Sequence, residues 1–214
     1  MAEKKRPRRT RERILETSLA LFNRFGAPHV TTADIADEMN ISPGNLYYHF
    51  RNKDEIVFEL YEAYEKQVLP LYADPGGRHV GVDDLWLWLH LLFEQMWAHR
   101  FLYRDLDELA SSDRKLGRRI GALLRKGAAT VVELCRGMVE AGTMAASARE
   151  IEALAQNVLL VTAYWPSYDR IRRAADDPAD TDAGRAAYQV LALFAPYLSA
   201  DARAHLDRLS ADYL

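Results

Sequence analysis

Residues 31–50 constrain the chain most strongly, because they pair two short helical patterns across a tight turn. The segment reads TTADIADEMNISPGNLYYHF. Ser42 is a good helix N-cap, and Pro43 suits the first helical position, where a missing N–H is not needed. The helix that follows presents polar and aromatic, mostly uncharged side chains, which suit contact with a nucleic-acid duplex. The pattern therefore predicts a helix-turn-helix, which reads bases with its second helix.

Helical patterns flank this segment on both sides. Apolar residues at helical spacing predict a first helix over 11–26 that ends at Gly26. The second helix is predicted to begin at a Thr32 cap. Asn52 is predicted to cap a fourth helix over 54–72, because acidic residues in its first turn favour the positive end of the helix dipole.

The remainder of the chain predicts helices and no convincing strand, so the fold class is all-α. Predicted helices cover 83–100, 103–111, 112–142, 184–198 and 200–213. A further helix is predicted to begin at the capping box formed by Ser147 and Glu150 and to run towards residue 173. Residues 73–81 form the clearest linker, and 174–183 a loop. We expect two domains: a basic arm with the helix-turn-helix over 1–53, and a larger helical domain over 54–214 to which 54–72 connects.

Charge is distributed unevenly along the 214 residues. The net charge is -3, yet residues 1–53 hold 10 Lys+Arg against 6 Asp+Glu, whereas 54–214 hold 18 against 25. Seven of the basic residues lie within 1–13. Such a terminus is either a frayed, solvated tail or an arm that follows a phosphate backbone, and its position ahead of a helix-turn-helix favours the arm.

Several classes of protein do not fit the sequence. The single cysteine, Cys135, excludes an intramolecular disulfide and fits a reducing cytoplasm. The basic start is not followed by the apolar region of a signal peptide, and no apolar run approaches the roughly 20 residues that span a bilayer. We therefore expect a cytoplasmic protein with no membrane partner.

Catalytic and metal-binding patterns are not evident either. The sequence has no Gly-rich phosphate loop and no nucleophile elbow, and no paired carboxylates stand out from helical surface charge. His90 and Glu94 share a helix face, but a third metal ligand is not evident. We expect no enzyme activity, no metal and no cofactor.

A concentration of aromatic and apolar residues in the larger domain has two interpretations. Such a stripe at helical spacing is more often core, but an aromatic excess on a helix that is apolar nearly all round can also line a cavity for an apolar ligand. The candidate effector-binding residues are Trp86, Leu89, His90, Phe93, Met96, Trp97, Phe101, Tyr103, Tyr164, Trp165 and Tyr168.

The segment ILETSLALFNRFGAPHVTTADIADEMNISPGNLYYHFRNKDEIV resembles the N-terminal DNA-binding domain of TetR-family transcriptional regulators. The resemblance covers about residues 11–57 and includes Phe25-Gly26, the paired threonines, the GNLYYHF run and NKDE at the start of the fourth helix. It implies an all-α homodimer that binds a palindromic double-stranded DNA operator, usually as a repressor that a small-molecule effector releases.

The resemblance also implies which residues meet DNA. Ser42, Pro43, Gly44, Asn45 and Tyr47 match the start of the reading helix, where Gly44 lets backbone approach a base edge and Asn45 can donate and accept hydrogen bonds. Phosphate-contacting positions of the family match Thr32, Tyr48, His49 and Lys53. His49 has the simpler alternative of a cap or a stacking residue.

The two late helices form the dimer contact in this family. The corresponding residues are Leu154, Val158, Val161, Trp165, Tyr188, Leu191 and Phe194, and the alternative is that these faces pack within one subunit. Other functions compatible with the sequence are an activator or ligand-independent regulator with the same head, a small helical enzyme, and a helical scaffold protein.

Overall fold

A computed structural model describes residues 5–72, 80–173 and 183–211, and within these ranges the chain is helical. Most of the linker predicted at 73–81 and of the loop at 174–183 lies outside the described residues. The helices are α1 (Lys5–Phe25), α2 (Thr32–Glu38), α3 (Pro43–His49), α4 (Lys53–Val68), α5 (Val82–Ala98), α6 (Phe101–Arg104), α7 (Leu106–Ser112), α8 (Arg114–Glu140), α9 (Ala148–Arg173), α10 (Ala183–Phe194) and α11 (Ala200–Leu209). Single 3-10 turns follow α4, at Leu69–Tyr72, and α10, at Ala195–Tyr197.

The all-α prediction is confirmed, with some corrections at helix boundaries. Within the described ranges the only β feature is an isolated bridge between Met144 and Leu198. Helix α1 begins at Lys5 rather than at residue 11, so the basic segment from Lys5 onward is helical. Arginine and lysine are good helix formers, which explains why the basic run continues the helix. The helix predicted over 103–111 is two short helices, α6 and α7.

The chain divides into two compact units. The first comprises residues 1–66 and 99–118, and the second 67–98 and 119–214. The division passes through α4 after Lys66 and through α8 after Arg118. Helices α6 and α7 and the start of α8 therefore belong to the same compact unit as the helix-turn-helix. The functional boundary expected at residue 53 remains a prediction, because packing alone does not assign function.

The first unit packs α1 to α3 around a closed apolar core. Ile14, Ile35, Leu46 and Phe50 are fully buried. Phe101 of α6 packs on Phe22 of α1, with ring centroids 5.4 Å apart. Burial of these side chains is the main favourable contribution to the stability of the unit.

Polar contacts fix α6 to the C-terminal end of α1. Helix ends leave carbonyls without partners in the helix. Arg104 Nη2 donates to the Phe22 carbonyl at 2.6 Å, and the Phe101 N–H donates to Asn23 Oδ1 at 3.1 Å. Asp105 Oδ2 accepts from the Ala27 N–H at 2.8 Å. These bonds join residues 78 or more positions apart and explain why α6 belongs to the same compact unit as α1.

The second unit packs α9 against α10, and α5 against α10 and α11. Leu85, Leu89 and Leu92 of α5 are buried together with Val190 and Phe194 of α10. The predicted capping box at the start of α9 is confirmed, because the Ser147 N–H donates to Glu150 Oε2 at 2.7 Å. Pro166 lies inside α9, which continues past it to Arg173.

Two further observations concern the single cysteine and the apolar length of the helices. Cys135 is fully buried, and burial raises the pKa of its thiol to about 12, which keeps it protonated and poorly nucleophilic at neutral pH. No helix in the described ranges is long and apolar enough to cross a membrane.

Candidate nucleic-acid interface

Helices α2 and α3 form a helix-turn-helix whose turn is closed by local hydrogen bonds. Asn40 lies in the turn with φ of 53°, a left-handed conformation that asparagine tolerates better than most residues. The Ile41 N–H donates to the Ala36 carbonyl at 3.0 Å. Leu46 and Phe50 anchor α3 in the core at 0% exposure, as their i, i+4 spacing predicts.

The N-cap of α2 is Thr31 and not Thr32, which corrects the sequence prediction. Thr31 Oγ1 accepts from the Asp34 N–H at 3.2 Å, and the Thr31 N–H donates to Asp34 Oδ2 at 2.7 Å. The Thr31 N–H and, to a smaller extent, the Thr31 hydroxyl, which also donates to Asp34 Oδ2 at 2.7 Å, lower the pKa of Asp34. The reciprocal pair forms because the acidic residue lies three positions after Thr31. Thr32 is therefore the first helical residue, half-exposed beside α3.

The predicted start of α3 is confirmed. Ser42 Oγ accepts from the Asn45 N–H at 3.2 Å, and Pro43 occupies the first turn. Ser42, Pro43, Gly44 and Asn45 are all exposed. A Cβ added at Gly44 would meet no atom within 4 Å, so the backbone of α3 is open to an approaching ligand at this point. The contact of these four residues with DNA remains a prediction.

Two tyrosines project from the same helix. Tyr47 is 52% exposed and Tyr48 79%. Tyr47 Oη lies 3.0 Å from Thr32 Oγ1, so the structure brings together two residues that were predicted separately. Because one of these hydroxyls donates to the other, the pair keeps one O–H donor for a phosphate. Half-exposed His49 meets Tyr48 edge to face, with ring centroids 5.0 Å apart, and its contact with a phosphate remains a prediction.

Lys53 has a structural contact that the sequence did not indicate. Its Nζ donates to the Ala27 carbonyl at 2.7 Å, which ties the start of α4 to the end of α1. The predicted Asn52 cap is confirmed, because Asn52 Oδ1 accepts from the Glu55 N–H at 2.9 Å. Lys53 has three N–H donors, so the observed bond leaves capacity for a phosphate.

The N-terminal arginines whose side chains the structure describes divide into two groups. Arg11 forms an ion pair with Glu59, and its guanidinium lies 4.6 Å from the centre of the Phe50 ring. It is therefore part of the packing between α1, α3 and α4. Arg9 and Arg13 are exposed and remain candidates for phosphate contacts.

The candidate effector residues are split between the two units. Phe101 and Tyr103 belong to the first unit, where Tyr103 forms a short hydroxyl contact with Tyr64 and burial raises its pKa to about 12. The remaining candidates belong to the second unit: Leu89, Phe93 and Met96 are buried, Trp86, His90, Trp97 and Trp165 are half-buried, and Tyr164 and Tyr168 are exposed. The sequence could not separate these groups, because both follow the same helical period.

Local contacts explain part of the polar pattern on α5. Trp86 stacks on His90 with centroids 5.1 Å apart, and His90 Nε2 lies 3.6 Å from Glu94 Oε1. No group of three His, Cys, Asp or Glu residues among the described residues is arranged to hold a metal ion.

The candidate dimer residues also divide. Leu154, Val158, Leu191 and Phe194 are buried inside the second unit at 4% exposure or less. Their burial fits the alternative that these faces pack within one subunit, and their part in a dimer contact remains a prediction. Val161, Trp165 and Tyr188 are half-exposed. The outward face of α9 instead shows Leu160, Tyr164, Tyr168 and Ile171, exposed at 59%, 41%, 55% and 76%.

The fold and the exposed α3 define a helix-turn-helix protein with a helical second unit. A family model described as "Bacterial regulatory proteins, tetR family" matches residues 14–60, and one described as "Bacterial transcriptional repressor" matches 63–206, more than half of the chain. The chain belongs to the TetR family of transcriptional regulators, and its relatives are DNA-binding regulators rather than enzymes.

Similarity to solved structures extends over the whole chain. A TetR-family transcriptional regulator from Marinobacter aquaeolei VT8 is 33% identical, with 95% of this chain and 98% of that chain covered and a TM-score of 0.83. The ketosteroid transcriptional regulator KstR2 of Mycobacterium tuberculosis is 21% identical, with 89% and 95% covered and a TM-score of 0.67, and shares the fold.

Similarity to curated proteins covers shorter segments of the chain. The probable acrEF/envCD operon repressor of Escherichia coli K12 is 38% identical over 53 residues, which are 25% of this chain and 24% of that protein. KstR2 is 38% identical over 64 residues, 30% and 32% of the two chains. This chain thus matches about a quarter to a third of the length of these relatives.

Proposed function

We propose that the protein is a homodimeric repressor that binds a palindromic operator through α3 and is released by a small apolar or aromatic effector. The observation that carries the DNA-binding part is the exposed N-terminal half of α3, held in place by buried Leu46 and Phe50. Gly44 leaves the backbone accessible, and Asn45 and Tyr47 offer uncharged contacts to base edges or phosphates.

The operator contact combines reading and positioning residues. Asn45 and the exposed backbone at Ser42, Pro43 and Gly44 contact bases. The Thr32–Tyr47 hydroxyl pair, Tyr48, His49 and Lys53 contact phosphates. A helix-turn-helix dimer places its reading helices in successive major grooves, about 34–36 Å apart.

The outward face of α9 supports the dimer. Leu160, Tyr164, Tyr168 and Ile171 recur at spacings of 4, 4 and 3 residues, so they line one side of the helix. A contiguous exposed apolar face of this kind marks an interaction site. Half-exposed Val161 extends the same face. A symmetric partner would cover it with the identical helix.

Two buried indole nitrogens support effector binding in the second unit. The Trp88 and Trp165 Nε1 atoms are buried and have no hydrogen-bond acceptor among the described residues. A buried donor without an acceptor is costly, and a ligand oxygen can supply the missing bond. We therefore propose an apolar or aromatic effector that carries a carbonyl or ether oxygen. The protein would release its operator if the effector binds more tightly to the conformation that cannot bind DNA than to the one that can.

Selection of duplexes from a random-sequence pool tests the proposed function. The protein is expected to enrich an inverted repeat whose half-sites are separated by about one helical turn of DNA. A compound of the proposed class should then lower its affinity for the enriched duplex. Enrichment of an unrepeated site would contradict the dimeric operator, and no enrichment would contradict the proposal as a whole.

A further inference from the structure

Helix α8 begins with a concentration of positive charge that the proposed operator contact does not use. Residues 114–126 hold six Lys+Arg and no Asp or Glu, although 54–214 as a whole contain more acidic than basic residues. Arg114, Lys115 and Arg118 are all exposed. All three belong to the compact unit that contains the helix-turn-helix. We call these three residues the basic start of α8.

These charges are unfavourable within the helix itself. Arg114 and Lys115 lie in the first turn, where the positive end of the helix dipole disfavours cations. Arg114 and Arg118 are four residues apart, a spacing at which like charges repel. Asp113 is the nearby carboxylate, and its Oδ1 accepts from the backbone N–H groups of Lys115 and Leu116, at 2.6 and 3.1 Å.

Contacts among the described residues do not neutralise the basic start of α8. Arg118 Nε donates to the Arg114 carbonyl at 3.2 Å, and Lys115 Nζ lies 4.1 Å from the centre of the Phe58 ring. In the described ranges none of the three forms an ion pair with Asp or Glu. Exposed arginines elsewhere do, as Arg136 does with Glu133 at 2.7 Å. Exposed positive charge that no carboxylate neutralises favours a polyanionic partner.

The position of Lys115 relates this surface to the DNA-binding helices. Phe58, which Lys115 covers, lies on α4 five residues after Lys53. At 1.5 Å per residue, the two positions are about 7–8 Å apart along the α4 axis. Lys53 is a predicted phosphate contact at the start of that helix. The basic start of α8 therefore lies within about two helical turns of the proposed DNA surface, in the same compact unit.

We infer that the basic start of α8 binds the phosphate backbone of DNA that flanks the sequence read by α3. The inference rests on the proposed DNA-binding function and adds a second, sequence-independent contact to it. Arginine guanidinium groups bind phosphates through paired N–H donors, and each neutralised phosphate releases counterions. The contact would extend the footprint beyond the operator and make affinity more dependent on salt.

The test compares the wild-type protein with an Arg114→Gln, Arg118→Gln double variant. Both bind two duplexes from the selection experiment, one ending at the edge of the enriched sequence and one with about ten extra base pairs on each side. Wild-type affinity should rise with the extra DNA, and the variant should lose that gain. The slope of log K against log salt should fall in magnitude by about 0.9 for each lost contact, roughly 1.8 per bound chain. At ~0.1 M salt this amounts to a loss of roughly tenfold or more on the longer duplex.

A matched control separates local contact from net charge. Arg136→Gln with Arg203→Gln removes the same charge at two ion-paired positions. Arg136 lies 22 residues, or about 33 Å, along α8 from Arg114. The control should keep the gain in affinity that the flanking DNA provides. The Arg114→Lys, Arg118→Lys variant retains both positive charges and should keep most of that gain. Circular dichroism should show the same helix content for all variants.

Each outcome bears on the inference. An equal loss in both glutamine variants would assign the effect to net charge and overturn it. If the Arg114→Gln, Arg118→Gln variant binds both duplexes as tightly as the wild type, with an unchanged slope of log K against log salt, the flank contact is overturned. The proposed function would then remain intact. Variant-sensitive binding to vesicles of phosphatidylglycerol, with unchanged DNA binding, would assign the surface to a membrane instead. Failure of the wild type to enrich any duplex would contradict both proposals.

Discussion

Leu160→Asp combined with Ile171→Asp is expected to convert the protein from a dimer into a monomer. Both side chains are largely exposed on the outward face of α9, at 59% and 76%. Burying an apolar side chain of this size contributes about 1.5–3 kcal/mol, and in a symmetric dimer the two substitutions remove four such side chains, so association should weaken by roughly 6 kcal/mol or more. That corresponds to a dissociation constant raised about 10⁴-fold or more, and the buried carboxylates add a further cost.

Sedimentation at several micromolar concentrations measures this effect. Leu87→Asp is the matched control, because Leu87 is an apolar residue of α5 with 48% exposure that is not part of the proposed interface. The control should remain a dimer, and the α9 variant should also lose affinity for the enriched duplex because one half-site is released. A dimer of unchanged stability in the α9 variant would rule out this face as the interface.

Gly117→Ala is expected to destabilise the first unit. A Cβ at this position would lie 2.3 Å from the Ala110 carbonyl oxygen of α7, far inside van der Waals contact. The obstructing atoms belong to the backbone, so no side chain can rotate away. Overpacking of this kind costs about 1–3 kcal/mol, and the better helix propensity of alanine offsets only part of it.

Urea unfolding measures the stability change, with Gly121→Ala as its control. Gly121 lies one helical turn further along α8, where an added Cβ would meet only the end of the Arg125 side chain, at 3.4 Å. That substitution should raise the free energy of unfolding by up to about 1 kcal/mol through helix propensity. Equal stabilisation by both alanines would mean that α7 and α8 do not approach as closely as the structure indicates.

Local sequence patterns predicted the helix-turn-helix well. Ser42 before Pro43, Asn52 before two acidic residues, and Ser147 three residues before Glu150 each form the helix cap that their spacing indicates. These predictions succeed because a cap depends on atoms within four residues of each other. The Thr31 cap was missed because two adjacent threonines have the same chemistry, and the position of Asp34 decides between them.

Contacts between distant segments were not predictable in the same way. Helical periodicity identified apolar residues on α9 but could not tell which face meets α10 and which stays exposed. Val158 is buried and Leu160 is exposed, although the two are apolar residues only two positions apart. The placement of Phe101 beside α1 depends on hydrogen bonds from Arg104 and to Asp105, which only the folded chain brings to the end of α1.

Gly44→Glu tests most directly whether the N-terminal end of α3 faces DNA. An added side chain at Gly44 meets no atom within 4 Å, and a glutamate in the first turn is favourable for the helix dipole. The fold should therefore keep its stability, while a carboxylate facing phosphates and base edges should weaken binding to the enriched duplex by at least about 100-fold. Gly81→Glu is the control, because Gly81 is equally unobstructed and lies in the second unit. A stably folded Gly44→Glu protein that binds DNA as tightly as the wild type would contradict the account.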